Sequence, residues 1–160
     1  MSPTIRPAGP ADVPVILDLI KGLAEYERML DLVEVTEDRL RRSLFPEDGT
    51  APHAHCVLAW ADGRPVGFAL YFFNYSTFLG KPGLYLEDLF VKPEYRGRGH
   101  GKALLVHLAR LANQLGCGRM EWSVLDWNAP AIAFYESMGA TRLREWQICR
   151  LSGEALARFR

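Results

Sequence analysis

Ile16, Leu19, Ile20 and Leu23 recur at the spacing of one helix face, and Asp12 is placed to cap a helix running to about Glu27. The same logic predicts a second helix from Thr36 to about Phe45, with Leu40 and Leu44 facing inward. Leu104, Leu105, Leu108, Leu111 and Leu115 predict a long amphipathic helix that begins at Ala103 and ends at Gly116. Asn128 precedes a shorter helix over Ala129–Met138, with Pro130 in its first turn, and Ser152 is placed to cap a terminal one. Between these lie compact apolar runs that read as strands: Thr4–Pro7, His55–Trp60, Pro65–Tyr75, Leu84–Val91, Arg119–Leu125 and Trp146–Leu151. Asp62-Gly63 joins two of them as a hairpin turn. Hairpins come first and helix crossovers follow, so the pattern predicts an α/β domain with a mixed sheet covered by helices.

Composition narrows the picture. The chain has 160 residues, 49% of them hydrophobic, which suits one domain over residues 1–160. Net charge is zero and no basic run is interleaved with the aromatic series Tyr71, Phe72, Phe73, Tyr75 and Phe78. Nucleic acid is therefore not an expected partner, and that series reads as core and dimer surface. Cys56, Cys117 and Cys149 are odd in number and widely spaced, as in reduced thiols. His53 and His55 beside Cys56 lack a second cluster to complete a metal site, so no metal is expected. With neither an apolar signal core in Met1–Pro10 nor a membrane-length run, a cytoplasmic location is the expectation.

The most specific motif is YRGRGHGK, Tyr95–Lys102, set between the Leu84–Val91 strand and a helix. A glycine-rich turn entering a helix makes an anion cradle, because the first backbone N–H groups lack internal partners and the helix dipole is positive there. Lys102 occupies the third glycine position of a dinucleotide fingerprint. Arg96 and Ala103 break a Walker A loop. What remains is R-x-x-G-x-G, Arg96 to Gly101.

That loop resembles the acetyl-CoA pyrophosphate loop of the GNAT N-acetyltransferase superfamily. YLEDLFVKPEYRGRGHGKALL, WNAPAIAFYESMGA and IRPAGPADVPVILDLIKGLAEYE together resemble its spermidine/spermine N-acetyltransferase group. FNYSTFLGK and VLDWN are more similar to the thialysine-acetylating branch than to the polyamine branch, which has an aspartate where this chain has Ser76. The connection from Gly139 to Trp146 is shorter than the family's.

The resemblance implies a GNAT fold, a mixed and mostly antiparallel sheet with a CoA cleft between splayed central strands. It implies acetyl-CoA as donor, a small-molecule primary amine as acceptor, and a homodimer. It implies Glu87 as base, acting through water, and Tyr135 as general acid toward the departing thiolate. Read as residues alone, Glu87 could instead pair with a base at a sheet edge, and Tyr135 could be a core aromatic. Side chains alternate along a regular strand, so Glu87 and its neighbour Asp88 are not expected to enter one cleft. The backbone N–H near Leu89 is implied as oxyanion donor, Phe90 and Val91 as contacts to the pantetheine arm, and Gly97, Arg98, Gly99, His100, Gly101 and Lys102, after Arg96, as the pyrophosphate cradle. Asn128 is both a helix cap and a potential partner of the cofactor arm. Tyr26, Glu27 and Trp146 match positions near the amine, while a helix-end pair and a core tryptophan are the plainer readings. His100 reads otherwise as a loop residue and His107 as helix surface.

Overall fold

The computed structural model describes residues 3–160; Met1 and Ser2, the start of the predicted domain, lie outside them. The described residues form two compact units, residues 3–123 and residues 124–160.

The larger unit is built on a five-stranded sheet of β1 (Thr4–Pro7), β2 (His55–Ala61), β3 (Arg64–Ser76), β4 (Lys81–Val91) and β5 (Arg119–Trp122), in that spatial order. The first four strands pair antiparallel. β5 joins β4 in parallel after a crossover through α3 (His100–Gln114), as strands of like direction require. Asp62 and Gly63 both take positive φ, 50° and 72°, the geometry of a tight hairpin turn between β2 and β3.

One face of the sheet is closed by α1 (Val13–Tyr26) and α2 (Glu37–Leu44). Val13, Ile16, Leu19 and Leu23 interlock with Leu40, Leu44, Leu58, Phe68 and Phe90. Each such side chain, removed from water, contributes about 2 kcal/mol. Gly22 sets how closely α1 approaches: a Cβ there would lie 2.9 Å from the Phe90 ring. Leu104, Leu105 and Leu108 of α3 are likewise buried. α3 packs across β1 to β5.

Several boundaries move. Asp12 stands at the start of α1, but its carboxylate accepts from the Gly9 N–H at 2.9 Å inside a short 3-10 turn over Pro10–Asp12 and does not cap the helix. Thr36 does cap α2, its hydroxyl accepting from the Arg39 N–H at 3.2 Å. α3 begins at His100, not Ala103, because Gly99 supplies the left-handed turn that starts it. His100 is thus the first helical residue, and it is buried, not a loop residue. Among the described residues no helix is long and apolar enough to cross a membrane.

The smaller unit holds α4 (Ala129–Ser137) and α5 (Gly153–Ala157). Gly139 ends the α4 segment at φ 91°, and Arg142 Nε donates back to Glu136 Oε1 at 2.9 Å. The predicted strand Trp146–Leu151 is absent; these residues are irregular, with Trp146 and Ile148 exposed at 76% and 75%. An apolar run becomes a strand only by pairing its backbone, and this one has no ladder neighbour among the described residues.

Candidate active site

The glycine turn is assembled from backbone geometry. β4 ends at Val91, a 3-10 turn over Pro93–Tyr95 follows, and Gly97 and Gly99 take φ of 73° and 81°. Space is not the reason these two are glycines, since a Cβ at either would meet nothing within 4 Å. The left-handed φ is the reason, costing an ordinary residue about 1–2 kcal/mol. Ala103 N–H already bonds Gly99 C=O at 2.9 Å. The N–H groups of His100, Gly101 and Lys102 precede it in the first turn, where helix geometry offers no internal acceptor. This is an anion cradle on a helix of fifteen residues.

Arg96 has a different task from the glycines. Its Nε donates to the Val91 carbonyl at 2.9 Å, and its guanidinium lies 4.5 Å from the centre of the Tyr26 ring and 5.4 Å from that of Phe90. It therefore ties the cradle to the end of β4 and to the last residue of α1.

β4 is not regular where the sequence places its acids. Leu70 of β3 opposes Asp88 while its neighbour Tyr71 opposes Leu86, so Glu87 is an extra residue, a β-bulge. Alternation does not hold across a bulge, so the regular-strand rule that would keep Glu87 and Asp88 apart does not apply here. Asp88 is pushed up to about 6 by burial, then by the charges of Glu87 and of Glu27, which follows α1. Burial also raises Glu27. Three carboxylates thus lie within electrostatic reach at one place, where the C-terminal end of α1 crosses the bulge of β4. On its other side β4 pairs with β5 only over Gly83–Leu86, so residues 87–91 have no β5 partner. This is the opening in the sheet, and Leu89, Phe90 and Val91 follow the bulge along it.

Of the remaining predicted residues, Tyr26 is partly exposed beneath Arg96. In the smaller unit, Asn128 caps α4, its Oδ1 accepting from the Ala131 N–H at 3.3 Å. Tyr135 lies on the same helix with its ring 5.4 Å from that of Phe134. Trp146 is on the irregular segment. Ser76 is buried, and its hydroxyl accepts from the Leu79 N–H at 3.2 Å, holding the β3–β4 turn. His107 is held below its usual range by burial and by Arg110. Asp88 is the perturbed acid that strand alternation passed over; two adjacent acids inside an apolar run were the signal for it.

Comparison with known proteins identifies the family. Residues 21–140 match the model of the acetyltransferase (GNAT) family. The chain is 42% identical to a thialysine N-epsilon-acetyltransferase of Bos taurus, over 95% of this chain and 94% of the relative. It is 37% identical to an L-ornithine N5-acetyltransferase of Arabidopsis thaliana, over 95% and 85%. Among solved structures, an integron cassette protein from the mobile metagenome of V. cholerae superposes with a TM-score of 0.79 at 26% identity, over 99% of this chain and 98% of that one. A five-stranded mixed sheet, a glycine cradle at a helix start and these relatives together establish that the chain belongs to the acetyltransferase (GNAT) family and is an N-acetyltransferase.

Proposed function

We propose that the chain transfers the acetyl group of acetyl-CoA to a primary amine of a small cationic acceptor, with a thialysine- or lysine-like amino acid the leading class. The observation that carries this reading is that Glu27 and Glu87 lie within electrostatic reach of Asp88 at the bulge beside the opening next to β4. A side-chain ammonium with pKa about 10.4 is neutral in roughly one part in 2,500 at pH 7, an offset of about 4.6 kcal/mol. Carboxylates at the site attract the cation and then accept its proton. Glu87, exposed at the bulge, is placed to pass that proton through water. Asp88, with proton affinity close to the working pH, is its reservoir.

On the donor side, the cradle from Arg96 to Lys102 takes the pyrophosphate, Phe90 and Val91 the pantetheine arm, and the Leu89 N–H the developing oxyanion. Tyr135 gives the proton to the departing thiolate, and Asn128 adds a hydrogen bond to the cofactor arm. Tyr26, Glu27 and Trp146 serve the acceptor. We read both units as parts of one catalytic domain. The exposed Phe73, Tyr75 and Phe78 near the β3–β4 hairpin support a homodimer.

A diamine or polyamine acceptor is the second reading. Ser76 weighs against it: a buried turn hydroxyl occupies the position where the polyamine branch carries a carboxylate. The decisive experiment is thiol release from acetyl-CoA with thialysine, lysine, ornithine and spermidine, compared by kcat/KM. We expect the amino acids to lead. Spermidine in first place would favour the second reading, and CoA binding without turnover on any amine would make the protein a binding module.

A further inference from the structure

Side chains alternate along β3 without an inserted residue, so Phe72 and Asn74 lie on the face where Leu70 packs toward α1. Register carries that face across the sheet. Phe72 opposes Tyr85, which is paired in turn with Glu121; Asn74 opposes Gly83, which is paired with Arg119. The contacts follow the register: the rings of Phe72 and Tyr85 lie 5.1 Å apart, and Asn74 Nδ2 approaches Glu121 Oε1 at 3.5 Å. Tyr85 also shares a hydroxyl hydrogen bond of 2.9 Å with Ser123. Gly83 keeps the middle of the second row open, since a Cβ there would crowd Asn74 and Arg119.

Arg119 and Glu121 form an ion pair on this face, Nε to Oε1, of 2.8 Å, and Arg119 Nη2 donates to the Tyr75 carbonyl at 3.3 Å. Arg119 Nη1 and Glu121 Oε2 have no partner among the described residues. The two side chains are 38% and 34% exposed, so both can meet a solute. An ion pair this open adds little stability, and its position is more informative. The Tyr85–Glu121 rung comes one before β4 and β5 part after Leu86 and Trp122. Asp88 opposes Leu70, two residues of β3 from Phe72, a separation of about 7 Å. The five bonds between the amine and the α-carbon of an extended lysine-like side chain span about 6 Å. An acceptor with its side-chain amine at the acids therefore sets its α-carbon at the row of Tyr85 and Glu121. There a cation and a carboxylate stand side by side, and an amino-acid zwitterion offers each its counter-charge. A diamine offers only a second ammonium, which Arg119 repels.

We propose that Arg119 and Glu121 are the head-group subsite of the acceptor, Arg119 taking the α-carboxylate and Glu121 the α-ammonium of an amino acid whose side-chain amine is acetylated. The proposal rests on the proposed transfer to a small amine, and it makes acceptor choice a property of β5 as well as of the acids on β4.

The test compares kcat/KM for thialysine with that for bis(2-aminoethyl) sulfide, the same molecule without its carboxylate, and for Nα-acetyl-thialysine, which lacks the α-ammonium. The wild type should prefer thialysine over the diamine sulfide by about tenfold or more. Arg119→Gln should cut that preference about tenfold, and Arg119→Lys, which keeps the cation, should restore part of it. The wild type should also favour thialysine over its Nα-acetyl form about fivefold, a difference that Glu121→Gln removes. Loss of fold would lower all three amines together, so the ratios separate recognition from packing. A wild type that acetylates thialysine and the diamine sulfide equally well, or an Arg119→Gln variant that lowers both by the same factor, overturns the subsite and leaves the transfer reaction standing. A wild type that turns over no amine overturns the proposed function, and the subsite with it.

Discussion

The glycine cradle and the carboxylate cluster hang on the same strand, β4, yet they are made in opposite ways. The cradle is local: Gly97, Gly99 and the first turn of α3 are consecutive, and its positive character comes from backbone that needs no distant partner. The cluster is tertiary. Glu27 comes from the end of α1, Glu87 and Asp88 from a bulge, and the spacing between them depends on Gly22 letting α1 settle on Phe90. Under the proposed function, the donor half is therefore sturdy while the acceptor half stays sensitive to packing and to pH.

The largest test of that contrast is Asp88→Asn. We expect kcat/KM for the amine to fall about 10²–10³-fold, with the acetyl-CoA KM nearly unchanged. The rise of kcat/KM through about pH 6 should vanish with it. The same carboxyl leaves a mark on stability. Its folded pKa is raised, so as pH climbs from about 4 to about 6 the unfolded chain gives up the proton first and stability falls, by up to about 3 kcal/mol. Chemical denaturation across that window should show the fall in the wild type and not in Asp88→Asn.

Tyr135→Phe comes next. It should lower kcat about 10–100-fold and leave CoA affinity in place, as measured by single-turnover kinetics and calorimetry. Unchanged turnover would remove Tyr135 from the chemistry. Gly99→Val attacks the cradle through φ 81° and should raise the acetyl-CoA KM about tenfold while sparing the amine KM. Arg96→Lys is the smallest: losing the planar donor to the Val91 carbonyl and the ring stack should cost about 1 kcal/mol in thermal unfolding and only a few-fold in the acetyl-CoA KM.

The same division explains what could be read from residues alone. The cradle was legible because spacing and φ-permissive glycines are written consecutively, and even there the helix began three residues earlier than its apolar pattern suggested. Helices α1 and α2 and the β2–β3 hairpin were legible for the same local reasons. The bulge at Glu87 was not, since it exists only as a mismatch of register between β3 and β4. Nor was the electrostatic reach of Glu27 to Asp88, which only the packing of α1 creates. Trp146–Leu151 failed in the reverse direction: the pattern promised a strand, but a strand also needs a neighbour, and no sequence window contains one.

The most direct measurement is two-substrate steady-state kinetics with acetyl-CoA and thialysine on the wild type, Gly99→Val and Asp88→Asn. We expect the valine to act on the acetyl-CoA KM and the asparagine on kcat/KM for thialysine, each leaving the other substrate within about twofold. An Asp88→Asn enzyme whose main defect is a raised acetyl-CoA KM would contradict the division of β4 into a donor half and an acceptor half.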